Sequence, residues 1–261
     1  VAFEKELHYA RRAAHLAAQN ALRIQRAGVQ AITKSDLSPV TQADQEGEQI
    51  IAGLLHEAFP GDGILGEEGA SHEGTSGRRW IIDPIDGTRD FVRGNHLWCV
   101  LIGLEADGEV KTGVAHFPVL ERTYFALRGG GAFRNDLPLQ CSTRTAVADS
   151  VYLVNIGNKV AHRHDRDRWI DFLGRFWSFR CLGGALDAMM VAEGQAELWM
   201  EPAAQAWDFA PLQVITEEAG CRFFDLSGQR TIHGRSGVAC APGLEAEVRG
   251  FLATLDPVKK G

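Results

Sequence analysis

The chain has 261 residues, 45% of them hydrophobic, enough to bury a substantial core in one large domain or two smaller lobes. Its 34 acidic against 27 basic residues leave a formal charge of -7, which argues against a surface for phosphate backbones and so against a nucleic-acid partner. The five cysteines are scattered and form no CxxC pair, so they suggest neither a disulfide framework nor a zinc knuckle and fit a reducing cytoplasm, while no apolar run approaches the roughly 20 residues that span a bilayer.

The opening VAFEKELHYARR lacks the apolar stretch of a secretion signal. From Phe3 to Ala27 the chain is rich in Ala, Leu, Arg and Gln without internal Gly or Pro, and Gly28 follows, which predicts a long amphipathic helix packed on a sheet. TKSDLSPVTQAD reads as loop, and Thr41 with Asp44 three residues later reads as a capping box opening a second helix to about Phe59, ended by the PGDG at 60–63. ILGEEG predicts a short strand running into acids, and RRWIIDP a second strand closed by Pro84, which has no N–H for a continuing ladder. The residues from His96 to Val119 predict two strands joined at Asp107-Gly108, and ERTYFALRGGGAFRND adds two more around a glycine turn, an antiparallel meander.

Past about Cys141 strands and helices alternate: VYLVNI, DRDRWIDFLGRF, SFRCL, GALDAMMVAEG, AELWM, WDFAPLQVITEEAG, then a VACAP strand and a helix from Leu244 to Leu255. This predicts an N-terminal α+β lobe over residues 1–140 and a layered C-terminal α/β lobe over 141–261. HRHDRD at 162–167 reads as a solvated loop or helix start, with a metal site as the alternative. Trp169, Phe172, Phe176, Trp177 and Phe179 read as core at helix and strand spacing, with a pocket wall as the alternative.

Carboxylates gather at the ends of these elements: Glu67 and Glu68 in GEEG, Asp83 and Asp86 in DPIDGT, Asp208 in AWDFAP. Acids aimed into one cleft repel one another unless a cation neutralises them, and oxygen ligands without accompanying Cys or His select Mg2+, Mn2+ or Ca2+ over zinc. In DPIDGT the proline bend lets Asp83 and Asp86 face one point, with the Ile85 carbonyl as a third oxygen. Gly87 and Thr88 then open a helical turn whose amides suit a phosphate. Each acid also has a plainer reading: a turn for DPIDGT, a cap for Asp44, a dipole partner for Asp208. Four acid-rich junctions in one chain favour the joint reading.

KSDLSPVTQAD, GEEG, WIIDPIDGTRDFVRG and WDFAPLQVITEEAG, in this order and spacing, resemble the inositol monophosphatase family of metal-dependent, lithium-sensitive sugar phosphatases over nearly the whole chain. The resemblance implies a layered αβαβα sandwich with the active site between two lobes, a homodimer, and hydrolysis of a small-molecule phosphate monoester with two or three Mg2+ ions, Mn2+ being possible. It implies metal ligation by Glu67, Asp83, Ile85 through its carbonyl, Asp86 and Asp208. It implies a catalytic group of Thr88, Asp44 and Glu67 acting on the attacking water, and substrate or phosphate contacts from Asp86, Gly87, Thr88, Glu201 and Asp208. As a lone acid ending an apolar strand, Glu201 would otherwise be a solvated strand end.

Within the family, PGDGILGEEG, FVRGNHLWCVLIGL and RCLGGALDAMMVAEG resemble the histidinol-phosphate phosphatase branch, which implies release of histidinol in histidine biosynthesis. Gly184 departs from that branch, where an acid is usual, and Asp187 one helical turn on is either its substitute or a surface residue. Inositol 1-phosphate or another polyol phosphate, a nucleotide 3'-phosphate or sugar bisphosphate, and a non-catalytic regulatory role are the alternatives.

Overall fold

The computed structural model describes residues 2–34, 39–154, 160–161 and 163–256, folded as five layers in the order helix, sheet, helix, sheet, helix. The first layer pairs α1 (Glu4–Ala27) with α2 (Gln42–Ala58). α1 buries Ala10, Ala13, Ala14, Ala17, Ala18, Ala21 and Ile24, a stripe at helical spacing whose short side chains let it lie close to its neighbours. With Ile51 and Leu55 of α2 this stripe covers Trp80, Ile82, Val100, Ile102 and Val114 of the sheet beneath.

That sheet has eight strands: β3 (Gly63–Gly66), β4 (Ser71–His72), β5 (Arg78–Asp86), β6 (Cys99–Ala106), β7 (Glu109–Phe117), β8 (Arg122–Leu127), β9 (Gly131–Arg134) and β10 (Leu137–Pro138). Their order is β10-β9-β8-β7-β6-β5-β3-β4, antiparallel except where β3 runs beside β5. The second sheet comprises β11 (Val151–Val154), β12 (Ser178–Arg180), β13 (Leu198–Glu201), β14 (Arg222–Phe224) and β15 (Gly237–Cys240), in the order β12-β11-β13-β15-β14. Between the sheets lie α5 (Gly184–Ala192) and α6 (Ala206–Glu218), buried on nearly all sides as their apolar sequences require. On the outer face of the second sheet, α4 (Arg166–Leu173) and α7 (Glu245–Leu252) enclose a smaller aromatic core.

The seating of α6 sets the position of its first-turn Asp208. Gly103 of β6 lies opposite Gly113 of β7, and a Cβ on them would come within 2.8 Å of Ala210 Cβ and 2.6 Å of Pro211 Cα. Two bare backbones in register therefore form the floor on which the helix rests.

Three expectations are corrected. Pro84 does not close β5: the strand continues to Asp86 across a register shift, Asp83 pairing with Leu101 and Asp86 with Cys99, so the missing proline N–H is absorbed in a bulge. TKSDLSPVTQAD is not all loop, since β1 (Ala31–Thr33) and β2 (Pro39–Thr41) form a small antiparallel pair, while its residues 35–38 lie outside those described. β14 was not expected at all; three residues after a glycine turn carry too little periodicity to announce a strand. Trp169, Phe172 and Phe176 are core, whereas Trp177 and Phe179 are 72% and 52% exposed, so the aromatic set walls no pocket. In HRHDRD, His162 is outside the described residues, and Asp165 is buried in an ion pair with Arg163 while accepting the Asp256 amide.

Candidate active site

A cleft of about 390 Å³ opens where the C-terminal end of β5, the turn after β3, the end of β13 and the N-termini of α5 and α6 meet. Glu67, Asp83, Ile85, Asp86, Gly87, Thr88, Glu201 and Asp208, expected from the sequence to form a site, all line it. Asp44 stands directly behind Thr88.

β5 delivers two of the acids. Asp83 folds back to accept the Ile85 N–H at 2.9 Å, which the proline between them makes possible, and the bulge turns Asp86 toward the same space. Asp83, Asp86 and Asp208 each offer an oxygen within 4.8 Å of the others, and Glu67 lines the same cleft close enough for its charge to act on Asp83. Burial first, then mutual repulsion, pushes Asp83 and Asp208 well above the usual carboxylate range and raises Glu67 and Asp86 in the same direction. Such a group of hard oxygens is short of positive charge, and a divalent cation of the Mg2+ type fits it.

Each acid is held from behind. Glu67 donates its backbone N–H to Ile82, and Glu48, 3% exposed, accepts the amides of Glu68 and Ala70 at 2.8 and 2.7 Å, fixing the turn. Asp208 accepts the Gln205 N–H at 2.6 Å as part of a helix cap. Asp86 accepts the Ala185 N–H from α5 at 3.1 Å.

Asp44 serves two readings at once. Its Oδ2 accepts the Thr41 N–H and hydroxyl at 2.8 and 2.6 Å, the expected capping box, while Oδ1 lies 3.2 Å from the Thr88 hydroxyl. The same hydroxyl is 3.2 Å from the Ile85 carbonyl, so it can donate to either. Fully buried, Asp44 has its pKa raised by desolvation against the pull of Thr41. Gly87, at φ 88, makes the left-handed turn from β5 into α3 (Thr88–Arg93) that brings Thr88 here.

Glu201 is not a solvated strand end: it is 4% exposed, accepts the Ala203 N–H at 3.1 Å and faces the cleft. Asp187 is neither a cleft acid nor a surface residue, being fully buried with its oxygens turned to backbone amides. Sequence reasoning missed Lys34, whose ammonium lies 3.2 Å from Glu67 and 2.6 Å from Glu68, and Glu48, which supports their turn. Neither falls in an acid-rich strand end, the signal that found the others.

Residues 4–256 match the model of the inositol monophosphatase family. The chain belongs to this family. A histidinol-phosphatase of Chlorobaculum parvum is 38% identical over 223 residues, covering 83% of each chain, and an inositol-1-monophosphatase of Rhizobium meliloti is 35% identical over 206 residues, covering 77% of each. Among solved structures, the extragenic suppressor protein suhB of Bartonella henselae superposes with a TM-score of 0.87 at 28% identity, over 96% of this chain and 99% of that one. As a member of the inositol monophosphatase family the protein is a phosphoric monoester hydrolase acting on small-molecule phosphate esters, and the layered fold is the family's. The family is generally metal-dependent, in keeping with the acid cluster. No helix of the described residues is long and apolar enough to cross a membrane.

Proposed function

We propose that this phosphatase is Mg2+-dependent and releases histidinol from histidinol phosphate. The observation that carries the metal reading is the convergence of Asp83, Asp86 and Asp208 within 4.8 Å, in a cleft that Glu67 and Thr88 also line. Asp83, Asp86, Asp208, Glu67 and the Ile85 carbonyl would hold the ions, with Mn2+ able to replace Mg2+. When bound, the cations polarise the phosphoryl oxygens and ease deprotonation of a water.

The chain's own groups do the rest. The amides of Gly87 and Thr88 receive the phosphate. Thr88 orients the attacking water, and its proton passes along the 3.2 Å contact to Asp44, whose raised pKa suits an acceptor. Glu67, lining the same cleft, completes the group that acts on this water. Glu201, a carboxyl side chain nearly enclosed at the cleft, suits a cationic amine better than a neutral polyol, which favours histidinol phosphate. The reading divides labour between a first lobe over residues 1–140, carrying most of the acids, and a second over 141–261, supplying Glu201 and Asp208. We further propose a homodimer, supported by the exposed Trp177, just before β12, and Phe179 on it, β12 being an edge strand of the second sheet.

The test is phosphate release with Mg2+ from histidinol phosphate, inositol 1-phosphate, fructose 1,6-bisphosphate and adenosine 3',5'-bisphosphate. Histidinol phosphate is expected to have the highest kcat/KM, and Glu201→Gln to lower that value more than the one for inositol 1-phosphate. A lead for inositol 1-phosphate, the reading that the 35%-identical inositol-1-monophosphatase of Rhizobium meliloti favours, refutes the substrate and leaves the mechanism standing.

A further inference from the structure

Asp86 comes from the first sheet, yet one of its oxygens is held by the second half of the chain: Oδ2 accepts the Ala185 N–H at 3.1 Å, a bond between residues 99 apart in sequence. Ala185 lies in the first turn of α5, whose backbone N–H groups have no partner within the helix. The turn leading into that helix is shaped by Gly183 at φ 133 and Gly184 at φ 44. A Cβ on Gly184 would stand 2.8 Å from the same Asp86 oxygen, so backbone and carboxylate meet here at the closest approach that glycine alone permits.

Asp187 closes this turn from the inside. Its two carboxylate oxygens each accept one amide, Oδ1 from Leu182 at 3.3 Å and Oδ2 from Gly183 at 3.2 Å. The side chain is fully buried and does not line the cleft, so it cannot touch a substrate there. Two donors converge on it, and a carboxylate satisfies both where an amide of equal size offers a single acceptor oxygen. We infer that Asp187 is a positioning residue, which sets the 182–185 turn so that the Ala185 amide orients Asp86 for metal binding.

The inference rests on the metal reading of the cleft and adds the residue that prepares it from the other side. The Ala185 amide is the group bonded to the ligand, and loss of such a partner typically costs about 10- to 100-fold in metal affinity; Asp187 acts on it through the turn. Asp187→Asn preserves shape and removes one acceptor. Calorimetric titration of substrate-free protein with Mg2+ should show affinity at least about tenfold weaker than wild type, with faster hydrogen exchange at the Ala185 amide and a urea transition that remains cooperative.

A folded Asp187→Asn variant with wild-type Mg2+ affinity, even one of lower Tm, overturns the inference by reducing Asp187 to a structural cap. Wild-type protein that binds no Mg2+ overturns instead the metal reading on which it rests. Should Asp187→Asn fail to fold, Asp187→Ser, smaller and keeping one acceptor, addresses the same turn: weakened Mg2+ binding supports the positioning role, and unchanged binding overturns it.

Discussion

Asp83 is 1% exposed and surrounded by Glu67, Asp86 and Asp208, so burial and three like charges together oppose its ionisation. Asp83→Asn removes charge without volume. Turnover should vanish, the metal-free Tm should hold or rise, and the Tm gain on adding Mg2+ should disappear, all readable by thermal denaturation beside a phosphate assay. The same electrostatics set a pH dependence. Asp83, Asp86, Asp208 and Glu67 have folded pKa values above their unfolded ones, so they favour folding fully below about pH 4 and that favour is lost as pH rises through the folded values. Metal-free protein should therefore lose Tm as pH rises above the ordinary carboxylate range, and Mg2+ should recover more of it at the alkaline end, because its ligands must be deprotonated to bind. Thr88→Ala and Asp44→Asn should each cut kcat by about 10²- to 10⁴-fold with little change in KM, the mark of a proton-transfer step. The acids were legible in the sequence because each follows an apolar run or opens a helix. Lys34 was not, because nothing local marks a lysine whose partners lie more than thirty residues away.

Among elements, α6 shows how packing decides what a strand or helix end can do. Its Asp208 reaches the cleft because Gly103 and Gly113 let the helix rest on the sheet. In Gly113→Ala the new methyl would meet the backbone of Pro211 at 2.6 Å, which should cost about 1–3 kcal/mol in urea denaturation and weaken Mg2+ binding by lifting Asp208. The helix itself was readable from AWDFAPLQVITEEAG, but its seat was not, since two glycines on neighbouring strands come into register only through the β6–β7 pairing. β5 carries the same lesson in reverse. Pro84 properly signalled a broken ladder, yet the strand resumes at Asp86 opposite Cys99, and that bulge is what turns both aspartates to one side.

Across the whole molecule, the helix and strand patterns made the elements and a layered second half legible, while the five-layer sandwich was legible only through the resemblance that the acid motifs carry in the family's order. Substrate choice was less legible, since it depends on what closes the far end of the cleft. Gly184 brings only backbone to the cleft, against Asp86, and Asp187 turns away into the core, so neither supplies an acid to a cationic substrate and that part of the reading rests on Glu201. The account stands or falls on the metal. Its most direct test is phosphate release from histidinol phosphate by metal-stripped protein as Mg2+ is added back: no release without the ion, saturable recovery with it, and no recovery in Asp83→Asn. Release that persists undiminished after metal removal, or a fully active Asp83→Asn enzyme, would contradict it.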